Sequence, residues 1–242
     1  MRVLVTRPAD SSRRTAERLS AVGHQPIVLP LTEPEHHPDD VLEALRQLHS
    51  AIVLTSAEAV RVLHSLGNVL HPYLSGPVFA VGEATASAAR ELGFEEVRAA
   101  DGTAIGMLDL FRGELRALTA NHPLLYIAGN PRATTLEDGF ADHAIPFETV
   151  EGYRMKPVAI DEDMLAAALE APPLDAVLLY SRATAERFFG LPLRPKQIEM
   201  LATARILCLS SNVAEAVPSA LQANVTVAAR PDEYSLLALL SS

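Results

Sequence analysis

The chain has 242 residues, 49% of them hydrophobic and 21% charged, with a formal net charge of −10. This is the composition of an ordinary globular protein of one or two domains. The acidic balance argues against nucleic-acid binding, which needs a basic face to release counterions. No run approaches the ~20 apolar residues of a membrane span, and the single Cys208 excludes an internal disulfide.

The opening MRVLVTRP has too short an apolar run before Arg7 and Pro8 for a signal peptide, so it reads as a strand and a cytoplasmic protein is expected. After that strand (Val3 to Val5), DSSRRTAERLSAVG predicts a helix. It has cap candidates at its start, Ala16, Leu19 and Val22 at helical spacing, and Gly23 placed for a left-handed cap. Short aliphatic runs predict further strands over 27–29, 52–54, 78–81, 97–99, 124–128, 147–150, 176–179, 206–209 and 225–228. GEATASAARELG between two of them is a helix closed by Gly93. In LLYIAGNPRATTL, Asn130 is the expected N-cap and Pro131 the first helical residue, so a helix is expected from Arg132. Cys208, inside RILCLS, reads as a core thiol.

Strands alternating with helices predict parallel sheets covered by helices. Two proline- and charge-rich segments, 30–40 and 151–163, break the alternation and divide the strands into groups of two, five and three. The expected architecture is therefore α/β, with two flavodoxin-like (Rossmann-like) domains of five parallel strands each joined by a two-segment linker. Domain 1 is expected from 1–33 plus 158–242, domain 2 from 38–150, and the linkers from 34–37 and 151–157.

The turn AGNPRA lacks both the Lys of a Walker loop and the three glycines of a dinucleotide fingerprint. A helix start still offers unpaired N–H groups and a positive dipole to an anion such as a carboxylate. The pattern recurs at Thr6-Arg7, Thr55-Ser56, Gly82 with Thr85, Gly129-Asn130, Ser181-Arg182 and Ser210-Ser211. Each alone is simply a helix cap. Together, at strand C-terminal ends, they would line an interdomain cleft with anion seats.

Taken in order, VLVTRP, IVLTSAEAV, VFAVGEATASAARELGF, LLYIAGNPRATTLEDGF with a tyrosine about twenty residues on, AVLLYSRATAERFF and RPDEYSLLALL resemble the uroporphyrinogen-III synthase family. The resemblance covers nearly the whole chain and lies in order and spacing, since no single motif is specific. It implies an enzyme that closes hydroxymethylbilane, a linear tetrapyrrole, into uroporphyrinogen III with loss of water and inversion of ring D. No metal or organic cofactor is implied. The substrate's eight carboxylates suit a cradle of neutral donors. A monomer with no nucleic-acid or membrane partner is expected.

The resemblance also implies site residues. Tyr153 matches the family's tyrosine near the second linker and would donate a proton or hydrogen bond to the departing hydroxyl; read alone, it is an interface tyrosine with a wet hydroxyl. Thr85 matches a cleft threonine, although alone it is a first-turn helix residue. Thr6, Arg7, Thr55, Ser56, Gly82, Gly129, Asn130 and Ser181 are the other expected substrate contacts, taken from the recurring helix starts and not from the resemblance. Where the family often has a Gly-Pro-Thr-Thr-like turn this chain has Ser210-Ser211-Asn212-Val213, so that role falls to Ser211 or Asn212. Ala128 stands where an arginine is common, and Arg132 is the candidate to compensate. The histidines are scattered and no metal site is expected. A rival reading, from the lack of an acid–base pair, is a non-catalytic two-lobed protein binding a small anionic metabolite.

Overall fold

The computed structural model describes residues 1–112, 122–170 and 172–241. Among these, the strands in chain order are β1 (Arg2–Val5), β2 (Gln25–Val28), β3 (Thr32–His36), β4 (Ala51–Leu54), β5 (Pro77–Ala80), β6 (Glu96–Ala99), β7 (Leu124–Asn130), β8 (Phe147–Pro157), β9 (Ala176–Leu179), β10 (Arg205–Cys208) and β11 (Val225–Val227). They belong to two compact units, Met1–Glu33 with Lys156–Ser242, and Pro34–Met155.

In the first unit the order is β11-β10-β9-β1-β2, and every pairing is parallel. The direction of winding reverses between β1 and β9. The central strands β1, β9 and β10 are aliphatic over 3–5, 176–179 and 206–207 because both faces are covered, whereas the edge strands β2 (QPIV) and β11 (VTV) are exposed or half-buried. On β1, Leu4 enters one apolar cluster with Leu179 and Phe188, while Val3 and Val5 enter another with Leu19 and Leu236. Cys208 is fully buried on β10, as expected, and burial pushes its thiol pKa up to about 11.

In the second unit the order is β3-β8-β7-β4-β5-β6, with β8-β7-β4-β5-β6 all parallel. Here the winding reverses between β4 and β7. Leu125 and Ile127 point into one core, and Leu124, Tyr126 and Ala128 into the other.

This sheet has six strands, where five were expected. The extra strand is β3, whose TEPEH was read as linker. Its residues are only exposed or half-buried, so no apolar run announces it. Its proline and alternating acids suit a sheet edge, where one side of the backbone needs no partner. The second expected linker, 151–157, is likewise the continuation of β8, which runs for 11 residues.

The helices follow the expected ends in part. Gly93 (φ 107°) forms the left-handed cap of helix Glu83–Leu92, whereas Gly23 (φ 80°) lies one residue beyond the Val22 cap of Ala9–Ala21. The opening turn departs from expectation. Asn130 is the last residue of β7 rather than an N-cap, and the helix is Thr135–Asp142 rather than one starting at Arg132. The cause is tertiary: β8 continues far enough to pair Gly129 with Tyr153 and Asn130 with Arg154, so the backbone stays extended.

Candidate functional site

The reversal of winding between β4 and β7 opens a crevice beyond their C-terminal ends, where neighbouring connections leave in opposite directions. Thr55 and Ser56 leave β4, Gly129 is the last residue but one of β7, and these three line a cavity of about 380 Å³ together with Tyr126, Arg132 and Tyr153. Ser56 caps helix Ala57–Ser65, its Oγ accepting the Glu58 N–H at 2.9 Å. The Tyr153 phenol lines the cavity beside the same serine. Burial raises the Tyr153 pKa, with Ser56 opposing the shift, so the phenol stays protonated at neutral pH.

Tyr153 owes its direction to an irregularity. Ala128 pairs with Glu151 but Gly129 with Tyr153, so Gly152 is an extra residue in β8. Simple alternation would put Val150 and Tyr153 on opposite faces. The bulge puts both into the core that holds Ile127, and brings the phenol over Gly129. Behind Ser56, the buried Glu58 carboxylate meets His36 Nε2 at 2.7 Å and also accepts from Arg61.

Tyr126 is a site residue that the sequence reading missed. Its hydroxyl lies 3.3 Å from Thr55 Oγ1, and burial raises its pKa too. The available signal was a phenol in an otherwise aliphatic buried strand, since a buried tyrosine hydroxyl requires a partner.

Arg132 follows the strand end in irregular backbone and makes a two-pronged pair with Glu137, Nε to Oε2 at 3.1 Å and Nη2 to Oε1 at 3.0 Å. The arginine holds the Glu137 carboxyl below its usual range, and the carboxylate raises the Arg132 pKa in turn. Asn130 Nδ2 instead donates to Glu151 Oε2 at 2.7 Å, and Arg154 followed by Asn130 lowers the pKa of that acid.

Thus five expected contacts, Thr55, Ser56, Gly129, Arg132 and Tyr153, converge on one cavity. Gly82 and Thr85 do not line it: Gly82 is the N-cap of helix Glu83–Leu92, and Thr85 is buried in its first turn. In the first unit Thr6 is fully buried, its hydroxyl donating to the Leu178 carbonyl at 3.3 Å. Arg7 sits 4.2 Å from the Tyr180 ring centroid and donates to Glu233 Oε1 at 2.9 Å. That oxygen also accepts from Thr15 at 2.5 Å and Tyr180 at 3.0 Å, while Arg18 holds Oε2. Ser181 caps helix Arg182–Phe189 through the Thr184 N–H. Ser211 and Asn212 are exposed in the short helix Ser211–Ala214, with Asn212 Oδ1 accepting from Arg182 at 3.2 Å.

The whole fold resembles two solved structures. A uroporphyrinogen-III synthetase from Helicobacter pylori aligns over 99% of this chain and 97% of its own, with a TM-score of 0.65 and 17% identity. A mutant uroporphyrinogen III synthase from the extremely thermophilic bacterium Thermus thermophilus aligns over 89% and 87%, with a TM-score of 0.56 and 22% identity. At these identities the likeness establishes the mixed α/β fold with parallel sheets. No curated protein matches the sequence. The family described as Uroporphyrinogen-III synthase HemD, by contrast, matches residues 13–238, nearly the full length and both units. On that match the chain belongs to the uroporphyrinogen-III synthase family, lyases of haem biosynthesis.

Proposed function

We propose that the chain closes hydroxymethylbilane into uroporphyrinogen III using the cavity between the ends of β4 and β7, with Tyr153 as the donor to the leaving hydroxyl. The supporting observation is that the family match coincides with a cavity lined by a half-buried, protonated phenol and a helix-capping serine. The two units are read as flavodoxin-like domains. Counted within each unit, their strand orders are 2-1-3-4-5 and 3-2-1-4-5 with β3 added, which are the two common doubly wound arrangements. The protein is read as a cytoplasmic monomer.

In the proposed reaction the pyrrole nitrogen of ring A expels the terminal hydroxyl. Tyr153 donates a proton as the C–O bond breaks, so water leaves and an azafulvenium cation remains; the proton lost when the macrocycle recloses restores the phenol. The substituted carbon of ring D attacks that cation to give a spiro intermediate, which fragments and recloses with D reversed. The free substrate closes spontaneously to the uninverted isomer, so the protein's main task is geometric. Thr55, Ser56 and Arg132 hold substrate carboxylates by directed hydrogen bonds, with the backbone of Gly129 and the side chain of Asn130 at the rim. Ser181, Ser211 and Asn212 are exposed donors of the first unit and are proposed as further contacts. Arg7, which bonds only through Nη1 among the described residues, is proposed as a further contact together with Gly82 and Thr85 at the start of helix Glu83–Leu92, whereas Thr6 is left out because its hydroxyl is buried on the Leu178 carbonyl.

A coupled assay with freshly generated hydroxymethylbilane, resolving the product isomers, tests the proposal. Isomer III at a rate above spontaneous closure supports it. Only isomer I at the spontaneous rate overturns it and favours the non-catalytic binding reading, which the family match does not favour.

A further inference from the structure

We propose that Glu137 is the positioning residue of a carboxylate subsite whose contact group is Arg132. The inference rests on the reading of the cavity as the tetrapyrrole site and assigns a role to a residue outside the contact set above.

Among the described residues, Arg132 is the only charged side chain lining the cavity. In a protein of net charge −10 an anionic arm of the substrate gains little from the overall field, so its recognition depends on this one guanidinium and nearby neutral donors. A guanidinium carries five N–H donors in a rigid fork. Two of them, on Nε and Nη2, are given to Glu137. Nη1 has no hydrogen-bond partner among the described residues, so one edge of the fork is anchored and the other remains for a ligand.

Arg132 needs that anchor because residues 131–134 have no regular structure to hold it. Glu137 is itself immobilised from two directions. It is the third residue of helix Thr135–Asp142, where a carboxylate is favoured by the helix dipole, and its Oε1 also accepts the Thr149 hydroxyl of β8 at 2.9 Å. The chain of support therefore runs from the sheet through Thr149 and Glu137 to Arg132. Arg132 with Glu137 is formally neutral, so what the pair offers a ligand carboxylate is direction more than charge. Removing Glu137 would leave the charge in place and release its direction.

The opposite role is equally concrete: Glu137 could compete with a substrate carboxylate for the same guanidinium. The two roles predict changes of opposite sign. Arg132→Gln, Glu137→Gln and the double variant are compared with the wild type in two measurements. One is KM and kcat for hydroxymethylbilane; the other is calorimetric Kd for oxidised uroporphyrin III, a stable octacarboxylate probe. Arg132→Gln is expected to raise KM and Kd about tenfold, as loss of one charge-assisted hydrogen bond does, with kcat changed by less than about twofold. Glu137→Gln is expected to raise both by ~3 to 10-fold, and the double variant to be no worse than Arg132→Gln alone, because Glu137 acts only through Arg132. Tighter binding in Glu137→Gln, unchanged binding, or additive losses in the double variant would overturn the proposal. A wild type that binds the probe but forms no isomer III would refute the synthase reading and leave the binding series to judge the subsite.

Discussion

Gly129 and Tyr153 lie opposite each other on β7 and β8, so close that a Cβ on Gly129 would fall 2.4 Å from Tyr153 Cζ and 2.5 Å from its hydroxyl oxygen. No real Cβ tolerates such a contact, so Gly129→Ala must move the phenol. The displaced atoms are the far end of a side chain, and the cavity beside them gives room. A loss of only ~1 to 3 kcal/mol of stability is therefore expected, as for ordinary overpacking. Activity should fall much further than the urea midpoint. If the variant keeps wild-type turnover, the position of the Tyr153 hydroxyl does not matter to the reaction.

Tyr153→Phe should slow formation of isomer III without stopping it. Removal of a donor aimed at developing charge commonly costs ~100 to 1000-fold, but here the pyrrole nitrogen supplies much of the push and a water can take the phenol's place, so a smaller loss is expected. The ring stays packed and Ser56 keeps its bond to the Glu58 N–H, so the thermal midpoint should change little. Full activity would remove Tyr153 from the mechanism, and a large fall in midpoint would make it structural.

In the first unit, the Glu233 carboxylate gathers Arg7, Thr15, Arg18 and Tyr180 around itself. Glu233→Ala would leave Arg7 and the Tyr180 hydroxyl half-buried without their partner. With side-chain exposures of 27% for Arg7 and 21% for Glu233, solvent screens part of that cost, and a loss of ~1 to 2 kcal/mol is expected. Denaturant unfolding measures it. A change below about 0.5 kcal/mol, the range of ordinary surface substitutions, would show the cluster to be incidental.

Three of the five tyrosines, Tyr126, Tyr153 and Tyr180, have pKa values raised chiefly by burial. A raised folded pKa means that both states hold the phenolic proton below about pH 10, where these groups add no pH dependence. Above about pH 10 the unfolded chain ionises first, so the stability they contribute falls as pH rises. Alkaline titration should therefore show the phenolate absorbance of these three appearing at higher pH in the folded protein than in the unfolded chain, with Tyr180 the last. Reversible ionisation of all five near pH 10 in the folded protein would contradict the buried environment.

The same division between local and distant causes explains how much could be read from the chain alone. Runs such as AIVL and AVLL announce buried strands because sheets covered on both faces require continuous apolar sequence, and all ten strands expected on that basis are present. Ser56 and Ser181 were legible as caps because a cap is a contact between near neighbours in sequence. The family resemblance was legible for a related reason, since order and spacing survive where single motifs do not. Tertiary contacts decided the rest. β3 exists because β8 lies beside it, and Asn130 stays in a strand because Arg154 pairs with it. Tyr126 joins the site through Thr55, 71 residues away, and Arg7 is drawn to Glu233, 226 residues away. Tyr153 reaches the cavity only because Gly152 shifts the register by one residue, reversing the face that simple alternation assigns. Helix caps and apolar periodicity are short-range and are written in adjacent residues. Register, bulges and ion-pair partners depend on which distant segments meet, and that is settled only when the sheets assemble.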